Sequence, residues 1–543
     1  MARRISTEAP RPVREDGRGP VVDSRERIAE SYAAYLADES RSGPASCDRI
    51  VFARSEREVA DALLDAAAAG SEVTVSGART GIVGGAVPRR GTVLSLVEMN
   101  RVLGVRRLDG GRFSVRAEPG VAIADLKRSV EEARPGEAAR EPGAANRLTY
   151  APDPTEDTAH LGASVATNAS GARSFRYGAT RAHVRRLRVV LPCGEALDVE
   201  RGACAEEGGA FEIARLDGTV LEVPVPGYRM PPIKNAAGYF SEPGMDLVDL
   251  FVGSEGTLGV ITEVEGLLTP RPPAVLSALA FFDSDDDAVA FVLHARGGAP
   301  DGPPPACVEP LALEYFDSRS LDFLRARRRE QGAASSIPEP PADAAAAVQF
   351  EQGFLEEDLS DAYDAWESVL SAHGSSMERT WGGMEDADLA RLKALRHSLP
   401  EEVNAAIARA KVVHPEIHKV GTDLAVPGGA LLDMVRAYRE GLDGTGLAYV
   451  VFGHIGDSHL HLNVMPRTPD ELAAAKALAL SFAGRAVALG GTVSGEHGIG
   501  KLKHEFLRIQ YGDDGLRRMA AVKRSLDPGG VLNRGVMFPE ELL

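Results

Sequence analysis

The chain has 543 residues, 44% hydrophobic and 26% charged, with a formal net charge of −18. That length divides into two or three domains. The acidic balance excludes a nucleic-acid partner, since phosphate backbones require clustered Lys and Arg. An arginine-rich stretch, RAHVRRLR (181–188), would still suit a small anion or, equally, a solvated strand edge. Four cysteines, Cys47, Cys193, Cys204 and Cys307, are scattered without C-x-x-C spacing. No iron–sulfur cluster or zinc knuckle is expected from this chain alone, and no disulfide framework; a reducing cytoplasm is the default compartment.

In chain order, the basic, Pro/Arg-rich start lacks an apolar h-region and reads as a flexible arm. It leads into one helix, SRERIAESYAAYLADES (24–40). No run approaches eighteen apolar residues, so no membrane span is expected. EREVADALLDAAAAG (56–70) is an amphipathic helix, and EVTVSG (72–77) a short strand after it. RFSVRAEPGVAIADLKRSVEEA (112–133) is a strand, a turn and a helix. A Pro-rich joint at 270–273 and a loop at 297–306 follow, then a low-complexity surface loop at 330–347. Beyond it lie helices (356–373 and 389–399) and strand-like pieces (418–427 and 448–456), an α+β second domain without internal repeats.

Three stretches are rich in glycine and small residues: VSGARTGIVGGAVP (75–88), PDPTEDTAHLGASVATNASGARSFRYG (152–178) and GSEGTLGVIT (253–262). Glycines at this density let backbone N–H groups close around a phosphate. The first matches neither G-x-x-x-x-G-K-[ST] nor G-x-G-x-x-G, so neither a P-loop nor a Rossmann site is supported. Taken together, the three stretches resemble the FAD-binding domain of the vanillyl-alcohol oxidase / p-cresol methylhydroxylase flavoproteins. The resemblance implies an α+β protein: a two-subdomain FAD-binding domain (46–270) after an N-terminal arm and helix (1–45). A substrate or cap domain with an antiparallel sheet covered by helices (271–505) would follow, and then a C-terminal segment (506–543) returning to the FAD domain. It implies that Ser76, Gly77, Ala78, Arg79, Thr80, Gly81, Gly84 and Gly85 cradle the pyrophosphate. Pro152, Asp153, Gly162, Ser164, Thr167, Asn168, Gly171 and Tyr177 would line the second loop. Glu255, Gly256, Gly259, Val260, Ile261 and, in the tail, Asn533 would contact the cofactor. No His lies in the first loop and no Cys in the second, which implies non-covalent FAD.

GHIGDSHLHLN (453–463) crowds His454, His459 and His461 around Asp457. On a strand, His459 and His461 share a face, and the Gly456-Asp457 turn lets His454 reach the same place. A metal site and a histidine-rich strand without special role both fit. GGTVSGEHGIGKLK (490–503) adds an adjacent acid and base, Glu496 and His497, on a glycine-rich turn. The two stretches resemble the C-terminal signature of flavin-dependent D-2-hydroxyacid dehydrogenases, which act on D-lactate, glycolate or D-2-hydroxyglutarate. The resemblance implies His454, His461 and Glu496 as ligands of a divalent metal, Zn2+ first and Mn2+ or Fe2+ next, with His497 as base. Arg396, on the helix LKALRHSLPEE, takes the position that meets the substrate carboxylate, and Lys419 is a weaker candidate. The commonest family form has Gly-Asn where this chain has Ser458-His459, which leaves His459 as an extra ligand or a substrate donor. Two other readings remain: an alkyl-dihydroxyacetone-phosphate synthase-like enzyme, and a non-catalytic FAD-binding subunit of an electron-transfer complex. Without cluster-binding cysteines the electron acceptor is separate: a quinone, a cytochrome, an electron-transferring flavoprotein or an iron–sulfur subunit. Peripheral association with the inner membrane and a homodimer are left open.

Overall fold

The computed structural model describes residues 5–14, 17–133, 147–298, 302–332, 339–355 and 358–543. Parts of the expected loops at 297–306 and 330–347, namely 299–301 and 333–338, lie outside the described residues. So do 1–4 and 15–16 of the expected arm.

Two large sheets build the first half, and a two-stranded ladder pairs Leu148–Thr149 with Thr269–Pro270. A four-stranded sheet runs Val21–Val22, Arg49–Phe52, Thr92–Ser95, Val73–Ser76, the last three mutually parallel. The helix Glu56–Ala68 packs against it, with Val59, Leu63 and Ala66 buried on one face and Ser55 capping its start by accepting from the Glu58 N–H. The second sheet has eight strands, in the order Val220–Pro224, Ala210–Ala214, Ile5–Glu8, Ala196–Glu200, Val184–Val190, Val260–Leu267, Phe113–Ala117, Val102–Arg107. The helix Ile123–Ala133 buries Ile123, Leu126 and Val130, the i, i+3, i+7 positions of one face.

The N-terminal arm is not free where it is described. Ile5–Glu8 inserts between two strands, antiparallel to Ala196–Glu200 and parallel to Ala210–Ala214. Arg11 then pairs with Glu263 at 2.5 Å. Its basic, Pro/Arg-rich composition reads as a flexible arm, but a short strand completing another segment's ladder carries no periodicity of its own. The expected helix over 24–40 is shorter: Arg25–Ser31, followed by a 3-10 turn at Ala33–Leu36.

The second half is a seven-stranded antiparallel sheet, Thr380–Gly383, Ala274–Phe282, Ala346–Phe354, Pro310–Asp317, Ala448–Gly453, His459–Met465, Val420–Ala425. Helices cover it, and Trp366 stacks on Phe350 with ring centroids 4.1 Å apart. The helix expected to end near residue 399 runs on through Pro400, from Asp386 to Lys411. Pro400 has no N–H to give, so the carbonyl of Arg396, four residues earlier, loses its helical donor. At the chain's end, the Val73 N–H donates to Val531 O (2.8 Å) and the Asn533 N–H to Val73 O (2.8 Å), joining the tail to the parallel sheet.

Candidate active site

The three glycine-rich stretches converge. A Cβ on Gly77 would lie 3.0 Å from Ala163 Cβ, and the N–H groups of Gly253 and Glu255 donate to Val165 O and Ala166 O (3.0 and 2.7 Å). Gly81 and Gly85 face open space, with nothing within 4 Å of a would-be Cβ. By Gly77, Ser76 Oγ and His160 Nδ1 are buried without a hydrogen-bond partner among the described residues. Open glycine backbone lined by unsatisfied polar atoms fits a phosphate-bearing cofactor.

Many residues expected to touch that cofactor also hold the cradle in shape. Ser164 and Thr167 donate to His160 O and Ala163 O (3.1 and 3.0 Å). Asn168 Oδ1 accepts from the Arg181 N–H (2.9 Å). Asn533 accepts from the Val75 N–H and donates to Glu255 O, each at 2.8 Å. Arg79 lies over the Tyr35 ring, 4.1 Å from its centroid, and Asp153 pairs with Lys127 (2.6 Å). Gly162, Gly171 and Gly259 are glycines because a Cβ would overlap Pro119, the Asp153 carbonyl and Val189. Val260 and Ile261 are buried strand residues paired to Val190 and Val189. The Glu255 carboxylate accepts from the Ile499 and Gly500 N–H groups (2.8 and 2.7 Å). A side chain expected at the cofactor thus clamps the loop carrying Glu496 and His497. The Tyr177 carbonyl accepts from the His183 ring (2.8 Å), and among the described residues no side-chain bond singles out Ala78, Thr80 or Pro152.

The histidines meet at the end of the antiparallel sheet. His454 follows the strand Ala448–Gly453, His459 and His461 lie on the next, and Asp423 pairs opposite His461 on a third. His454 Nδ1–H donates to Glu314 (2.5 Å), and His461 Nδ1–H to Asp423 (2.9 Å). Carboxylates at Nδ1 fix the tautomer and aim Nε2 inward, an arrangement typical of metal-binding histidines. Both Nε2 atoms face Glu496 Oε2, at 3.1 and 4.0 Å. The other oxygen, Oε1, accepts from Ser170 Oγ (2.7 Å) and Lys234 Nζ (2.5 Å). Ligand atoms of His454, His459, His461 and Glu496 lie within 4.8 Å of one another.

The charges favour a cation here. Burial alone would lower His454, but Glu314 and Glu496 on either side push it up to about 9. Those carboxylates demand a positive group between them, and a divalent ion replaces the second proton of the ring. The residues therefore fit a divalent metal. His497 stands at the edge, with its side chain 35% exposed and Nδ1 3.1 Å from Asp423 Oδ1, although not aligned for a hydrogen bond. Lys503 neutralises the other Asp423 oxygen. Arg396 points the same way, Nη1 lying 4.0 Å from Glu314 Oε2. Lys419 forms no ion pair among the described residues; burial lowers its pKa, against the opposing charge of Asp423 nearby.

Sequence reasoning missed Glu314, Asp423, Lys234 and Ser170. Glu314 and Asp423 did leave a signal, each an acid in the interior of a largely apolar strand, PLALEYFD and VGTDLA. Lys234 and Ser170 left none, being polar residues in loops that already read as polar.

Residues 47–200 match the FAD binding domain family, and 271–537 match the family of FAD linked oxidases, C-terminal domain. The chain is similar to a D-lactate dehydrogenase of Anaerostipes hadrus, 30% identical, with 91% of this chain and 90% of that protein covered. It is similar also to the glycolate oxidase subunit GlcD of Bacillus subtilis, 27% identical, with 96% of each covered. Among solved structures, 4-ethylphenol oxidase from Gulosibacter chungangensis shares the fold at a TM-score of 0.64 and 18% identity, over 96% of this chain and 95% of that one. An alkyldihydroxyacetonephosphate synthase does so at 0.61 and 17%, over 94% and 82%.

Proposed function

Because the chain belongs to the flavoproteins that join a FAD-binding domain to a FAD-linked oxidase C-terminal domain, we propose that it oxidises a D-2-hydroxy acid to the 2-oxo acid. D-lactate-like acids, glycolate and D-2-hydroxyglutarate are the substrate class. The observation that carries this reading is the buried set of His454, His461 and Glu496, its histidines braced by carboxylates, with His497 at its edge.

When bound, FAD supplies a hydride acceptor and the divalent cation (Zn2+, Mn2+ or Fe2+) supplies Lewis acidity to a hydroxyl that is otherwise a very weak acid. The chain's own residues do the rest. Glu314 and Asp423 hold the rings of His454 and His461, so that lone pairs rather than N–H bonds face inward. Lys234 and Ser170 fix the orientation of Glu496. His497 accepts the hydroxyl proton at Nε2 while its Nδ1 faces Asp423, which stabilises the imidazolium. Arg396 turns from Glu314 to bind the substrate carboxylate through its planar fork, with Lys419 as the lesser alternative. Non-covalent FAD is supported by the lack of a His in the first loop and of a Cys in the second. The working division is an arm to residue 45, the FAD domain to 270, the substrate domain to 505, and a returning tail. Electrons pass to a separate acceptor. Among the described residues no helix is long and apolar enough to cross a membrane.

The test is anaerobic dye reduction over a panel of D- and L-2-hydroxy acids, with metal content measured alongside. Turnover of D-acids that chelation abolishes and metal restores is expected. Full activity in protein shown to be metal-free would refute the proposed role of the cation, and no reduction by any hydroxy acid would refute the substrate class.

A further inference from the structure

The third histidine of the cluster is the odd one. His459 is 0% exposed, and neither of its ring nitrogens has a hydrogen-bond partner among the described residues. Its neighbours differ: His454 is anchored by Glu314 and His461 by Asp423. Leaving a buried polar atom unpaired is costly, and an apolar residue of similar size would fill the same space without that cost.

The surroundings tell what the ring faces. Its centroid lies 4.6 Å from that of His461 and 5.6 Å from that of His454. On its other side it packs against the backbone of Gly495, where a Cβ would come within 3.0 Å of ring Cγ and Cδ2. The residue just before Glu496 is therefore a glycine because this ring lies there. One His459 nitrogen is within 4.8 Å of the ligand atoms of the other three. A cation with bonds of about 2.1 Å would gather such atoms by closing them an ångström or so.

We propose that His459 is a fourth protein ligand, making a centre of three imidazoles and one carboxylate. The inference deepens the metal reading above and rests on it. Four protein ligands saturate tetrahedral zinc, leaving no place for two oxygens of a chelating hydroxy acid. An ion that accepts six ligands, such as Mn2+, Fe2+ or Co2+, keeps two positions open. The centre is therefore one for an octahedral ion rather than for zinc.

The test uses the FAD-loaded enzyme, stripped with a chelator and reloaded with Co2+. X-ray absorption at the cobalt edge, together with the visible d–d bands, reports the ligand set. Wild type is expected to show three imidazoles and a coordination number above four. His459→Asn is expected to show one imidazole fewer and to bind Co2+ more weakly in competition with a chelator, by at least the roughly 10–100-fold that losing a group which only supports a ligand brings. Two imidazoles in the wild type would overturn the proposal while leaving the metal reading intact, and that count needs no variant. Unchanged spectra and affinity in His459→Asn would overturn it as well. Protein that binds no Co2+ at all would overturn both readings together.

Discussion

Gly500→Ala tests whether the loop bearing Glu496 and His497 is held by backbone contacts with the FAD domain. Gly500 has φ +53, and a Cβ there would overlap the Val83 carbonyl oxygen and lie 2.6 Å from Val83 Cγ2. The obstacle is backbone of the first glycine-rich loop, so no side-chain rotation relieves it. An L-residue at this φ costs about 1–2 kcal/mol. Moving the loop away sacrifices two bonds: Gly500 N–H to Glu255 Oε2 (2.7 Å) and Lys501 N–H to Val83 O (2.9 Å). The first, to a carboxyl group, is worth about 1.5–3 kcal/mol when that group is charged, and the second about 0.5–1.5. The total is roughly 3–6 kcal/mol. His497 is three residues away, and a shift of about 1 Å in a catalytic group slows a reaction by roughly 10²-fold. The assay pairs the thermal unfolding midpoint with anaerobic stopped-flow reduction of the flavin. Gly484→Ala is the control, since Gly484 lies in the helix Pro469–Ala488 with nothing within 4 Å of a would-be Cβ. That variant should be neutral or up to about 1 kcal/mol more stable. A Gly500→Ala protein with the wild-type midpoint and reduction rate would refute the account of the loop.

Acid precipitation should release all the yellow colour as FAD; flavin left on the polypeptide would reject non-covalent binding and make the half-buried His160, its Nδ1 beside Gly77, the first attachment residue to examine. His497→Asn should keep FAD and metal but slow flavin reduction by about 10²–10⁴-fold; reduction at the wild-type rate would require another base. Burial raises the Glu255 carboxyl from 4.5 to about 7, despite the two N–H donors that favour its charge. Because the folded value exceeds the unfolded one, the stability linked to this group is full below about pH 4.5 and fades as pH rises through about 7. The shift corresponds to roughly 3 kcal/mol. Glu255→Gln should flatten the fall of the thermal midpoint between about pH 5 and about pH 8, and an unaltered slope would assign the effect to other groups.

Local chemistry was legible in the sequence wherever it depends on neighbours along the chain. Periodicity gave the helices at Glu56–Ala68 and Ile123–Ala133, because an amphipathic face repeats every three or four residues. Glycine density marked the three cofactor loops, because backbone approach requires missing side chains. The alternation of His459 and His461 placed them on one strand face. Sequence alone did not give the partners. Glu314, Asp423 and Lys234 lie 140, 38 and 262 residues from His454, His461 and Glu496, and only strand pairing and domain contact bring them together. The same holds for Glu255: its motif marked it for the cofactor, whereas tertiary structure gave its carboxylate to Ile499 and Gly500. The arm Ile5–Glu8 likewise became a strand only because a ladder with two open edges was waiting for it. A residue type fixes which bonds a group can make. Which bond it does make depends on which unsatisfied group the fold delivers to it, and burial makes leaving either one unpaired too costly.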